Sequence, residues 1–169
     1  MPTSTLSAKV TDLVGGTVDD PALDDWMTEG AKEVINLLPA NLQRLCTSMV
    51  SFTSQAVGSE TSASQLNTGK IFGVFAGSYS CRQINSMDKY KAEDSNNVLY
   101  ATATDPAYYI EQNHINVLPS GLSCKYEEVT YPTVDVDSVN VISATFPDDA
   151  EYLVILYAAI KQVSQYMTD

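Results

Sequence analysis

Few residues in this 169-residue chain have the types and spacing that chemistry needs. Gly69-Lys70 resembles the end of a phosphate-binding loop. That reading fails on spacing, because the position five before Gly69 is Ser64 rather than glycine, and Ile71 stands where a hydroxyl should meet magnesium. Asp135-x-Asp137 opens like a calcium loop, but Val139, Asn140 and Phe146 occupy the positions where an EF-hand needs an oxygen ligand, a glycine and a glutamate. His114 is the one histidine, which excludes two-histidine metal sites and leaves a single imidazole base for any nucleophile. No G-x-S-x-G is present. Cys46, Cys81 and Cys124 form no C-x-x-C pair and read as buried thiols that pack like small hydrophobes. The expectation is therefore a protein with no catalytic residues, no cofactor and no metal.

Charge narrows the partners. The formal net charge is −12, and from residue 93 onwards twelve acids face only Lys125 and Lys161. A nucleic-acid binder draws its affinity from clustered Lys and Arg that displace counterions, so this surface should repel DNA over most of its extent. The longest apolar run, residues 152–160, is well short of the roughly 20 that cross a bilayer. No basic region followed by an apolar one marks a signal peptide at the start. A soluble protein made in a cytosol is expected. Ten tyrosines against one tryptophan suggest a contact surface, although Tyr108, Tyr109, Tyr126 and Tyr131 fall on strand-like stretches where aromatics pack across a sheet.

The elements that would carry these residues follow from periodicity. Residues 5–14 place Leu6, Val10, Leu13 and Val14 on one face and stop at Gly15-Gly16. Asp20-Pro21 opens a second helix whose stripe runs from Leu23 to Leu38, and a shorter helix is expected over 41–47. Strands are expected over 49–53, 70–75, 80–84, 98–102, 107–111, 114–118 and 122–131. The last three of these read as a meander through an Asn113 turn, and residues 58–67 as an exposed, mobile loop. At the far end Pro147, Asp148 and Glu151 have the spacing of a capped helix start with a capping box. Leu153, Leu156, Tyr157, Ile160, Val163 and Met167 then form one stripe, with Val154, Ile155 and Ala159 off it. That helix should be covered on more than one side.

The expected fold class is α+β, a helical bundle of N-terminal helices (1–47) and a long C-terminal helix (146–169), with an antiparallel β-rich insertion (48–145), all in one domain.

Certain phrases occur in an order that carries a resemblance. They are Asp20-Pro21, Asp25-Trp26 and Gly30-Ala31-Lys32-Glu33-Val34-Ile35, then Tyr100-Ala101-Thr102-Ala103-Thr104-Asp105-Pro106-Ala107-Tyr108-Tyr109-Ile110. Asn113-x-Ile115-x-Val117-x-Pro119, Tyr131-Pro132 and Phe146-Pro147 follow, the last leading into residues 151–161. The chain resembles the neck proteins of tailed bacteriophages, in particular the head-to-tail adaptor or connector proteins. The resemblance implies a virion structural protein, made in the host cytoplasm, that forms a homo-oligomeric ring, in that family usually of twelve copies. Its implied partners are the portal protein, the next neck or tail protein, and DNA that passes without specific binding; no membrane is implied. On that reading Val154, Ile155, Ala159, Tyr108 and Tyr109 are candidates for subunit contact, and Glu127, Glu128, Asp135 and Asp137 for an acidic channel lining. The alternatives are another neck or tail-completion (terminator) protein and a tail-associated binding module, with a tail-borne hydrolase as the least supported reading.

Overall fold

A computed structural model describes residues 5–16, 18, 20–59, 64–136, 141–143 and 145–167. The chain is a mixed α+β protein, with five α-helices and two sheets among the described residues, the last helix being long. It divides into two compact units, residues 1–46 with 131–169, and residues 47–130.

In the helical unit, α1 (Leu6–Val14) begins where the Thr5 hydroxyl accepts from the N–H of Ala8. It ends at Gly15, whose φ of 75° supplies the left-handed turn that a side chain would oppose. α2 (Asp20–Leu37) buries Leu23, Met27, Ala31, Val34 and Ile35 at helical spacing. α3 (Ala40–Gln43) and a 3-10 turn over Arg44–Cys46 follow the Pro39 break. α5 (Asp148–Tyr166) packs against both α1 and α2. The expected capping box does not form. Pro147 occupies the N-cap and has neither a side-chain acceptor nor an N–H for such a box, and Glu151 pairs instead with Lys9 of α1 at 2.5 Å.

Residues 131–136 and 142 also belong here, although the sequence placed them in the β-rich insertion, and Phe146 joins them. Val134, Val136, Ile142 and Phe146 are buried, and the N–H groups of Val134 and Val136 donate to Thr28 Oγ1 and Asp24 Oδ1 of α2. An extended segment with alternating valines needs an apolar partner and a source of acceptors, and α2 offers both.

Small residues fix how closely the helices approach. A Cβ added at Gly30 of α2 would stand 2.9 Å from Cδ1 and 3.2 Å from Cγ of Tyr157 on α5. Gly30→Ala is accordingly expected to force the Tyr157 ring aside and to destabilise the helical unit by about 1–3 kcal/mol, the range for overpacking. Urea unfolding monitored by helical circular dichroism measures it.

The second unit holds two sheets. The larger has the order β1 (Thr47–Thr53), β7 (Ser123–Val129), β2 (Ile71–Ala76), β3 (Tyr79–Ser80), antiparallel throughout. The smaller has β4 (Arg82–Gln83) parallel to β5 (Ala107–Glu111), which pairs with β6 (His114–Leu118). The β5–β6 hairpin turns on Gln112 and Asn113, both at positive φ, as its Asn turn suggested. α4 (Lys89–Glu93) follows a 3-10 turn over Ser86–Asp88.

The structure departs from the expected meander at its last strand. β7 does not pair with β6. It is the strand between β1 and β2, where Cys124 and Tyr126 join Phe52, Val74 and Ile115 in one core, and the Tyr126 ring meets Phe52 edge-on at 5.7 Å. A strand with buried residues at Cys124, Tyr126, Glu128 and Val129 needs neighbours on both edges, and the two long strands β1 and β2 provide them. Residues 98–102 also form no strand. Asn97 Oδ1 accepts from the N–H of Leu99, and Arg82 Nη2 donates to the carbonyls of Leu99 and Tyr100, so side chains take the backbone groups that a ladder would use.

Candidate functional site

Chemistry-bearing residues are the natural first candidates. His114 lies half-buried on β6, with the Ser64 hydroxyl 3.3 Å from its Nδ1. Ser64 is itself buried, so this hydroxyl and imidazole hold the segment after residue 63 to the hairpin instead of facing a substrate. Leu66 completes that attachment. Its side chain enters the core, its N–H donates to the Asn113 carbonyl, and the Asn113 amide returns a bond to its own carbonyl. The described part of the expected mobile loop is thus tied down. Among the described residues no three His, Cys, Asp or Glu come together as a metal would need.

All three cysteines are buried free thiols. Burial pushes the Cys81 thiol up to about 12, with the neighbouring Cys124 adding to the rise, and burial raises Cys46 and Cys124 as well. Native protein at pH 8 is therefore expected to resist a thiol reagent such as DTNB, with all three thiols reacting after denaturation. The sign of the pH effect follows. An unfolded thiol ionises near its ordinary 9.0 while the folded one stays neutral, so stability is whole below about pH 9 and is lost as pH rises towards 12.

The carboxylates predicted to line a channel separate into different roles. Glu128 is 2% exposed. Its Oε1 accepts from the N–H groups of Asn67 (2.9 Å), Thr68 (2.6 Å) and Gly69 (2.9 Å), while the Thr68 hydroxyl lies 3.1 Å from it and 2.9 Å from the Val129 carbonyl. Three successive N–H groups converging on one oxygen make a nest that a buried negative charge fills. Glu128 is thus excluded from a channel surface, because its charge is already spent inside the unit. Glu127 is half-buried and accepts from the Thr47 hydroxyl at 2.8 Å. Asp135 is exposed, and Asp137 lies outside the described residues.

The predicted subunit contacts are corrected in the same way. Val154, Ile155 and Ala159 are buried within their own unit, together with Ala150, Ala158 and Gln162. Tyr109 has no exposed surface, and Tyr108 is half-buried, with its hydroxyl raised above its ordinary range by burial and then by Cys81. Val154, Ile155, Ala159 and Tyr109 offer almost no surface to a partner, whereas Tyr108 keeps part of its surface exposed.

The exposed apolar side chains of α5 lie on the opposite side of the same helix. Leu153, Leu156, Ile160, Val163 and Met167, assigned by periodicity to the core, are 37–82% exposed. The physical reason is size. Ala150, Ala158 and Ala159 let α1 and α2 close onto that side of α5, and the larger side chains remain outside. The small-residue face was the available signal, and the more hydrophobic stripe obscured it.

Leu156 and Ile160 form a ridge between two grooves. On the α2 side lies a groove of about 420 Å³ bordered by Leu37, Val34 and Leu153, and on the α1 side one of about 300 Å³ bordered by Leu13, Val14 and Val163. Glu33 is the one charged residue lining either groove. With Tyr152, Tyr166, Leu13 and Leu37 the face gathers nine large side chains exposed by 37–83%. That is on the order of 1,000 Å², against the few hundred typical of a monomer's largest apolar patch.

Fold and site together define a two-unit α+β protein with a broad exposed apolar face on its long helix α5. No family model matches the chain, and no curated protein is similar to it.

Proposed function

We propose that this chain is a virion structural protein of a tailed bacteriophage: a non-enzymatic head-to-tail adaptor that assembles as a homo-oligomeric ring under the portal, through which DNA passes. The ordered phrases from Asp20-Pro21 to Phe146-Pro147 supply the family resemblance, and with it the twelve copies and the neck location. The observation that carries the reading is the bare face of α5. A surface of that size and apolarity favours burial against protein, at about 25 cal/mol per Å² of apolar area covered. The charge of −12 adds support, since an acidic ring lets phosphate pass without holding it. Asp135, exposed, and Glu127, half-buried, are the remaining described candidates for the lumen.

Mixing the purified chain with purified portal protein tests the proposal. Co-sedimentation as a complex, with an added ring beneath the portal in electron micrographs, is expected. Absence of portal binding, together with binding to tail tubes, would transfer the protein to another neck or tail-completion role.

A further inference from the structure

The five exposed residues at the centre of the α5 face are spaced three, four, three, four: Leu153, Leu156, Ile160, Val163, Met167. This is the seam of a helix built to pack along a second helix. The positions beside the seam are Tyr152, Tyr157, Ala159, Ser164 and Tyr166, none of them charged at neutral pH. In a chain of net charge −12, a surface free of acids over nearly its whole length lets two copies meet without repulsion. Its area, on the order of 1,000 Å², also matches the roughly 800 Å² that each partner contributes to a stable contact. Nucleic acid would find no cation along the seam to pair with, and a basic partner only Glu33 and Asp149.

One acid fixes the direction. Asp149 stands seven residues before Leu156, at the N-terminal end of the seam, and is exposed. In a parallel pair the two Asp149 carboxylates would face each other, with both helix dipoles aligned. In an antiparallel pair they lie at opposite ends, about 27 Å apart along the axis at 1.5 Å per residue. We infer that the free chain pairs with a second copy through α5, antiparallel, about a two-fold axis at the level of Ala158, with Leu153 against the other copy's Val163 and Leu156 against its Ile160. A two-fold contact of this kind closes on itself. The pair is therefore the form of the chain before any ring exists, and its seam is opened or re-used during assembly; the inference concerns the free chain and does not depend on the neck reading.

Light scattering of the full chain, without portal, should give twice its 18.4 kDa. Oxidation of a mixture of Leu153→Cys and Val163→Cys chains should yield a disulfide-linked dimer, whereas Leu153→Cys alone, with its two thiols about 15 Å apart along the axis, should not. The three native cysteines are buried, and the wild-type chain is the control. Ile160→Asp should weaken dimerisation at least tenfold, as removal of a central contact does, with an unchanged circular dichroism spectrum; Ile160→Ala should weaken it less. A monomer at high micromolar concentration, self-crosslinking of Leu153→Cys, or dimerisation unaffected by Ile160→Asp would overturn the inference. A ring formed without portal would also overturn it while supporting the adaptor reading, and loss of portal binding alone would leave the pair standing.

Discussion

Ile155→Asp is expected to abolish folding of the helical unit, and Ile160→Asp, five residues along the same helix, to leave the fold intact. Ile155 is 5% exposed between the elements that α5 packs against, and Ile160 is 58% exposed on the open ridge. A carboxylate at residue 155 would lose its hydration with no cation placed to receive it, and the site would also lose the aliphatic packing. The combined cost of about 4 kcal/mol or more is a large share of a typical domain's stability. At residue 160 the new carboxylate remains in water, so the change in the isolated chain should stay within about 0.5 kcal/mol. Thermal unfolding by circular dichroism separates the two. Equal loss of helix signal in both variants would mean that the ridge is part of the core.

Glu128→Ala is expected to destabilise the β-rich unit by about 3 kcal/mol. One carboxylate oxygen receives three consecutive backbone N–H groups and shares the Thr68 hydroxyl, and hydrogen bonds to a charged group contribute about 1.5–3 kcal/mol each, though not additively. Without that oxygen the residues at 67–69 have nothing to turn around. Leu66, two residues before Thr68, should then loosen from the core with them. Glu128→Gln keeps an accepting oxygen without the charge and should recover about half of the loss, since charge-assisted bonds are roughly twice as strong as neutral ones. Urea denaturation gives the energies. Hydrogen exchange at the amides of residues 66–69 gives the location, and unchanged protection there in Glu128→Ala would refute the role assigned to the carboxylate.

These two expectations also mark what could and could not be read from the residues. α1, α2 and α5 and the β5–β6 hairpin were legible because their signals are local: a terminal Gly15, period-3.6 stripes, an Asn113 turn. The partner of β7 was not, since alternation fixes which residues of a strand are buried and says nothing about which strands it joins. Residues 98–102 have strand-like composition, and a non-local contact from Arg82 with a local one from Asn97 decided against it. The face of α5 was inverted for a related reason. Hydrophobicity marks both a core stripe and a contact stripe, and only Gly30 against Tyr157, with the alanines on the other side, tells them apart. Glu128 had no signal at all, because its three donors lie about sixty residues earlier in the chain.

The position of β7 and α5 along the chain governs when this protein can fold at all. β1 and β2 are complete by residue 76, yet β1 has no partner strand and β2 only the two-residue β3 until β7 has been made at residues 123–129; α1 and α2 wait longer still, for α5 at residues 148–166. During synthesis the nascent chain thus carries two unfinished cores, with Leu23, Met27, Phe52 and Val74 uncovered. Each closes only when its late element arrives, by contacts of long sequence separation, which form slowly. A ribosome-bound chain stopped before residue 148 should engage a holding chaperone throughout translation.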